Sequence, residues 1–551
     1  MNSTDELQTD PRETRGRSAR SLRGTIAGGL EAAASLVEAH PWTGLLLILA
    51  FYLVYLQQHV RLRPPWHDEL FTFYIAQAPT FGEMLRWTQT VDLNPPLSYV
   101  ITRLVFRVMH PGMLSLRLPS MVAFFLAALC LYAFVARRLS RVYGMAGALV
   151  LLGSVYKAYS FEARPYALVL AFLGLAAVSW QRAIEEHRRA RWPWLLLLVL
   201  GGFGMLLSHV LALVAYGGLF FAEIARFARR RRPDWPLWIC LVLPLSSGLL
   251  YFPLFQNHGS GAFPSAFQSS LLRVAESYGA VWVELASLLA AAMIAIILLK
   301  LQNLKLQNLE LQNAPAAGGS RFTAAEATFA VYLLLVPLII ALEFMRSHAA
   351  YFDRYGMAAI FGAGLVVPWL IASWTGTNRA AGLLTACILA LGIIPPMTVA
   401  TRLQNWIEPP PPDSFDLSGN FPAPFSQIKP DLPFVDASGL TFLEMNSRES
   451  AEFLSRVYYL TDLQSAVQYS HATIFEGFGG LKHVFPIRAN VTPYPEFVER
   501  HSKFLVYGTY DYPEDWLLRK LLADGADVRL LGSFPHGYKD RMLYEVTMPR
   551  P

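Results

Sequence analysis

The chain has 551 residues, of which 54% are hydrophobic, 13% aromatic and only 16% charged, with a mean hydropathy of +0.35. Soluble domains carry about 25% charged residues, so this balance excludes an ordinary cytosolic enzyme and a disordered chain. The net charge of +6 divides at Thr401: the residues beyond it hold 14 Lys+Arg against 19 Asp+Glu, net −5, leaving +11 on the apolar part. The basic charge therefore belongs to membrane loops and argues against nucleic acid as a partner.

In chain order, a polar, arginine-rich arm over 1–41 is expected in the cytoplasm. The first apolar run, 42–60, is followed by Arg61, Arg63 and two prolines rather than a small-residue cleavage site, which reads as a start-transfer anchor. Further apolar runs at 116–136, 143–158, 165–181, 193–208, 210–225, 235–254, 279–299, 327–345, 355–374 and 380–399 bring the count to about eleven spans. With the N-terminus inside, the inner segments hold 21 basic residues against 11 on the outer side of the membrane region. The positive-inside rule then places the C-terminus outside. Cys130, Cys240 and Cys387 all fall within apolar runs and form no disulfide framework or zinc pattern.

The expected domains are the arm 1–41, a membrane domain 42–401 with an amphipathic first outer loop 61–115, and a soluble domain 402–551. The first loop contains helix-like pieces at 68–77, 80–88 and 97–109. In the last of these, Val100, Ile101, Leu104, Val105 and Val108 form an apolar face while Arg103 and Arg107 can snorkel to headgroups. Beyond the linker Pro409–Pro412, β-rich runs at 441–445, 456–460, 503–508, 528–533 and 542–547 alternate with a helix at 514–522, which predicts a small α/β domain. It carries no phosphate-binding glycine motif. The repeat LQNLKLQNLELQN over 301–313 reads as a low-complexity linker.

Ionisable residues near a membrane core are costly and so become functional candidates. The strongest constellation is Pro64-Pro65-Trp66-His67-Asp68-Glu69, just beyond the first span. Asp68 and Glu69 could equally do no more than cap and charge the start of a helix. Trp66 reads most simply as an interface-belt residue, and His67 could tune the neighbouring carboxylate. Further along come Asp92-Leu-Asn94-Pro95-Pro96-Leu-Ser-Tyr99, then Leu116-Arg117-Leu-Pro119-Ser120, then Tyr159-Ser-Phe-Glu162-Ala-Arg164-Pro165-Tyr166. Lys157, Arg164, His209 and Arg354 are ionisable residues at outer ends of spans. Each could snorkel or pair with an acidic neighbour, as Glu162 with Arg164 or Asp353 with Arg354. The sequon Asn490-Val-Thr492 is followed by Pro493.

This ordered set resembles the GT-C class of membrane glycosyltransferases, which includes protein O-mannosyltransferases, the aminoarabinose transferase of lipid A and lipopolysaccharide galacturonosyltransferases. The resemblance covers roughly 40–400 and is most specific over 64–166. It implies a polytopic α-helical membrane fold of the GT-C type with a small C-terminal α/β extracytoplasmic domain, in a bacterial inner membrane. It further implies transfer of a sugar from a polyprenyl-phosphate donor to a glycan, lipid or protein acceptor, with Asp68 as the catalytic base and Glu69 as its neighbour. Lys157, Arg164, His209 and Arg354 become candidate ligands of the donor phosphate, where an Arg fork donates two hydrogen bonds at once. A single displacement activated by one base inverts the anomeric centre. A second outer acidic residue, Glu162, would orient the acceptor or join Asp68 and Glu69 around Mg²⁺ or Mn²⁺; metal dependence varies across the class, so no cofactor is implied with certainty. The composition also fits a transporter or lipid flippase, although no repeated halves are visible, and a lipid-diphosphate-dependent glycan ligase, which would concentrate its functional residues in a late outer loop.

Overall fold

The computed structural model describes residues 28–60, 65–92, 94–185, 190–250, 270–307, 322–347, 351–393, 431–471, 475–482, 484–512, 515–534 and 541–549. The expectations for Pro409–Pro412, for most of the basic arm and for the second half of the 301–313 repeat lie outside these residues.

Helix α1 (28–39) meets α2 (Pro41–His59) at 98°, with Pro41 opening the second helix where a missing N–H costs nothing. The end of the polar arm is thus packed against the bundle: Ala34 and Val37 are buried, and Arg141 donates to the Glu38 carbonyl. The segment between α2 and the next long helix forms α3 (His67–Ala76), α4 (Phe81–Thr90) and α5 (Leu97–Val108), within two residues of the predicted pieces. The bundle continues with α6 (Met113–Arg138), α7 (Arg141–Leu152), α8 (Tyr166–Glu185), α9 (Trp192–Ser208), α10 (Ala212–Arg230) and α11 (Trp235–Val242). It ends with α12 (Leu271–Gln307), α13 (Ala324–Ser347), α14 (Ala358–Thr375) and α15 (Arg379–Leu391). Among the described residues, α6, α8, α13 and α14 are each long and apolar enough to cross a membrane, and α1 with α2 would add a fifth; Arg141–Leu152, Trp192–Ser208, Trp235–Leu250, Leu285–Leu301 and Arg379–Leu391 are shorter apolar stretches.

The predicted span 143–158 is not one helix. It stops at Leu152, turns at Gly153 and continues as a 3₁₀ segment, Val155–Phe161. Every residue from Val142 to Leu152 is buried, so protein rather than lipid surrounds this helix and its length need not match a bilayer. Close approach is made by small residues: a Cβ on Gly147 would stand 2.7 Å from the Gly364 carbonyl oxygen, so α7 and α14 touch backbone to backbone. Where the C-terminal ends of α6 and α8 meet the start of α13, the Arg138 guanidinium lies 2.6 Å from the buried Glu326 carboxylate, which also accepts from Gln181 at 2.8 Å.

The C-terminal unit is a six-stranded sheet in the order β3-β2-β1-β4-β6-β5, with β1 (Phe434–Asp436), β2 (Val457–Thr461), β3 (Asn490–Pro493), β4 (Lys503–Gly508), β5 (Asp527–Phe534) and β6 (Arg541–Thr547). The first four strands are mutually parallel, and the β5–β6 hairpin joins β4 antiparallel. Residues 441–445, predicted as a strand, lie in helix α16 (Gly439–Arg448). Phe442, Leu443, Met445 and Asn446 are all buried there, and a short apolar run cannot by itself separate a buried helix from a strand. The sequon asparagine sits in β3 with both amide hydrogens used: Asn490 Nδ2 donates to the carbonyls of Ser455 (2.9 Å) and Val457 (3.1 Å). The unit docks on α3, α4 and α5, where Leu443 and Phe485 share a core with Leu70, Ile75, Met84 and Tyr99.

Candidate active site

The site is organised by helix α3. Its third residue, Glu69, is fully buried and bound on both oxygens by Arg117 of α6, Nε to Oε1 at 2.9 Å and Nη2 to Oε2 at 2.7 Å. Arg117 also donates to the Val60 carbonyl at 2.6 Å, and the Ala163 amide donates to Glu69 Oε1 at 2.8 Å. One ion pair therefore stitches the end of α2, the start of α3, the start of α6 and the loop after the 3₁₀ segment. With its lone pairs spent on these donors, Glu69 is placed to position the loop rather than to receive a proton.

Asp68, one residue earlier on the helix, faces the other way and keeps 20% of its side chain exposed. Its Oδ2 lies 3.6 Å from Arg164 Nε and 3.9 Å from Arg354 Nη2. Burial by itself would raise the Asp68 carboxyl, but Arg164 and Arg354 together outweigh it and hold the group below its ordinary value. Asp68 is therefore a carboxylate at neutral pH. Arg164 is fixed from behind: its Nη1 donates to Asp92 Oδ2 at 2.8 Å and to the Asp68 carbonyl at 3.2 Å, while the Tyr99 hydroxyl donates to the same Asp92 oxygen. Asn94 closes the turn that carries Asp92 by donating to the Asp92 carbonyl. The sequence-neighbour pairs do not form the site's ion pairs. Arg164 turns to Asp92 and Asp68 rather than Glu162, and Asp353 accepts from Ser277 while Arg354 turns to Asp68.

Arg354 stands on the 3₁₀ turn Asp353–Gly356 within an aromatic cage: Phe352, Tyr355 and Trp66 lie 4.4, 5.7 and 5.8 Å from its guanidinium carbon. Trp66 thus faces the site, a correction to its reading as a membrane-belt residue. Tyr159, Tyr166, His209 and Tyr355 continue this wall as a chain of ring contacts at 5.4 to 5.9 Å. His209 caps α9 and its Nδ1 accepts from the Leu211 amide at 3.1 Å. Burial, reinforced by Arg164 and Arg354, pushes its pKa down to about 3. It is a neutral imidazole whose Nε2–H is the donor, not a cation for phosphate. A cleft of about 350 Å³, counted with its open mouth, is lined by Arg354, His209, Tyr166 and Tyr355 together with apolar side chains that include Val169, Leu211, Ala212 and Ala358.

The remaining predicted residues are more peripheral. Lys157 lies on the 3₁₀ segment and is not among the described residues lining the cleft. Glu162 is buried at the end of that segment, its carbonyl accepting from the Arg164 amide at 2.7 Å. The His67 ring packs against Phe71, Phe475 and Phe478, and burial lowers its pKa, so it faces the C-terminal unit as a neutral group. Among the described residues no group of three or more His, Cys, Asp or Glu is placed to hold a metal ion. Of the set Asp68, Glu69 and Glu162, Glu69 has both carboxylate oxygens bound by Arg117. Tyr159 and Tyr166 stand in the motif read from the sequence, and Phe352 and Tyr355 flank Arg354 there, but the sequence assigns none of these rings a role.

Residues 93–252 match the family model described as dolichyl-phosphate-mannose-protein mannosyltransferase, a stretch that carries Tyr99, Arg117, Glu162, Arg164 and His209. The match bears out the resemblance of the chain to the GT-C class of polyprenyl-phosphate-sugar glycosyltransferases. Among solved structures the chain is similar to ArnT from Cupriavidus metallidurans, in the apo state and bound to undecaprenyl phosphate. In each case identity is 11%, the TM-score is 0.48, and the alignment covers 92% of this chain and 98% of that chain. No curated protein matches the chain.

Proposed function

We propose that the chain is an integral membrane glycosyltransferase that moves a sugar from a polyprenyl-phosphate donor to an acceptor hydroxyl at the outer face of a bacterial inner membrane. The observation that carries this reading is Asp68: an ionised, partly exposed carboxylate held between Arg164 and Arg354, the second of which also lines a largely apolar cleft. The prenyl chain would lie along Val169, Leu211 and Ala358, with its phosphate at Arg354 and the His209 Nε2–H. The donor arrives with its anomeric carbon already bonded to a phosphate leaving group, so the protein need only activate the acceptor and stabilise the departing charge. Asp68 takes the proton of the acceptor hydroxyl as its oxygen bonds to the anomeric carbon. The carbon–oxygen bond to phosphate breaks, and the polyprenyl phosphate leaves with the electron pair against Arg354. Attack from the face opposite the leaving group inverts the centre.

The test is mass spectrometry of envelope glycans, lipids and proteins from cells lacking the protein, complemented with wild type or with Asp68→Asn. A sugar restored by wild type and not by an equally expressed Asp68→Asn supports the reading and names the acceptor. Full restoration by Asp68→Asn removes the base assignment, and no change in any sugar favours a transporter.

A further inference from the structure

The residue preceding helix α3 is Trp66, whose indole cannot accept a hydrogen bond, and of the backbone amides at this end the helix's own Glu69 Oε2 takes only that of Trp66, at 3.4 Å. The free amide at its first position is satisfied from the far end of the chain. His67 N donates to Glu444 Oε1 at 3.2 Å, across 377 residues of sequence. Glu444 belongs to α16 of the C-terminal unit and is 3% exposed. At the other end of α3, Arg103 of α5 donates to the carbonyls of Ala76 (3.0 Å), Ala78 (2.6 Å) and Pro79 (3.4 Å), rather than snorkelling to headgroups as its spacing suggested. A ten-residue helix is thus held by an anion at its positive end and a cation at its negative end, the arrangement its dipole favours.

The same unit supports the cap sterically. Phe475 and Phe478 flank the His67 ring at 5.6 and 6.3 Å, and a Cβ on Gly439, at the start of α16, would fall 2.3 Å from the Phe475 ring. Phe485 packs on Phe71 and Tyr74 at 5.1 and 5.0 Å. These contacts converge on the first turns of α3, and Asp68 is the residue next to the capped amide.

We propose that Glu444 is a positioning residue for Asp68: the C-terminal α/β unit caps, in trans, the helix that presents the carboxylate, and so sets its distance to Arg164 and Arg354. The inference rests on the reading of Asp68 given above.

The experiment is hydrogen exchange, followed by mass spectrometry, on the full-length protein in lipid nanodiscs, comparing wild type, Glu444→Ala and Glu444→Gln. Glutamine keeps the acceptor oxygen and alanine removes it. The expected result is exchange about tenfold faster over 66–72 in Glu444→Ala, the loss of one cap, with near wild-type exchange in Glu444→Gln and no change over 527–534. Complementation with the same variants should lose sugar transfer with alanine and recover it with glutamine, a rescue that mere domain packing would not require. Unaltered exchange over 66–72 in Glu444→Ala, or a glutamine variant no better than alanine, overturns the proposal. Exchange is read without any sugar transfer, so the two failures separate: transfer by Asp68→Asn sinks the base assignment, and unaltered exchange sinks the cap.

Discussion

Glu69 and Arg117, 48 positions apart, meet through two parallel hydrogen bonds of 2.9 and 2.7 Å with both side chains fully buried. Two adjacent acids, Asp68 and Glu69, are thereby given opposite tasks, because successive residues on a helix point about 100° apart. Removing one partner strands a buried charge, at a cost of about 3–5 kcal/mol. Arg117→Met should therefore unfold at a clearly lower temperature in detergent. The double variant Arg117→Met/Glu69→Gln should recover much of that loss. Equal melting of the single and double variants would contradict the pairing.

Asp68 is held below its ordinary pKa by arginines that outweigh its burial. A base works only when deprotonated, so transfer should persist through the usual carboxylate range, about pH 4, and fail only as pH falls through the depressed value. Arg354→Gln removes one of the two cations and should move the acid limb of the rate profile upward. An acid limb that stays in place would show that Arg354 does not act on Asp68.

His209, with a pKa near 3, keeps one charge state across the physiological range. His209→Gln retains a side-chain donor and should leave the shape of the pH profile between 5 and 8 unchanged, whatever it does to the rate. On the stability side the unfolded chain binds the proton between about pH 6.5 and 3 and the folded chain does not. His209 thus contributes stability that is full above 6.5 and lost as pH falls, and the variant should unfold less steeply with acid. A profile that changes between pH 5 and 8 would mean that the imidazole titrates in that range.

In the C-terminal unit, burial raises the Asp436 carboxyl to about 8, against the lowering effects of Thr441, the Ser438 amide and Arg541. The folded state then holds a proton that the unfolded state has released, so stability falls with rising pH between about 4 and 8, by up to about 1.4 kcal/mol per pH unit. Asp436→Asn keeps the acceptor for the Ser438 amide and the Thr441 hydroxyl. It should raise the melting temperature at pH 8 and flatten its pH dependence, which calorimetry would read. A variant that melts lower at pH 8 would show an ionised Asp436 paired with Arg541 instead.

The sequence by itself determined the helical pieces of the first loop, the apolar runs and the acidic cluster. Hydropathy and helical period are local properties, and Asp68, Asp92, Arg164 and Arg354 carry charges too costly to bury without purpose. It misread what depends on surroundings. Residues 441–445 look like a strand until a sheet on one side and α3 on the other bury them as a helix. Trp66 looks like a belt residue until Arg354 arrives from 288 positions away. Only the tertiary structure decided the partners of each charge: Arg164 with Asp92 rather than Glu162, Arg354 with Asp68 rather than Asp353, and Glu444 at the head of α3. An ion pair is chosen by distance after folding, and no spacing along the chain records it.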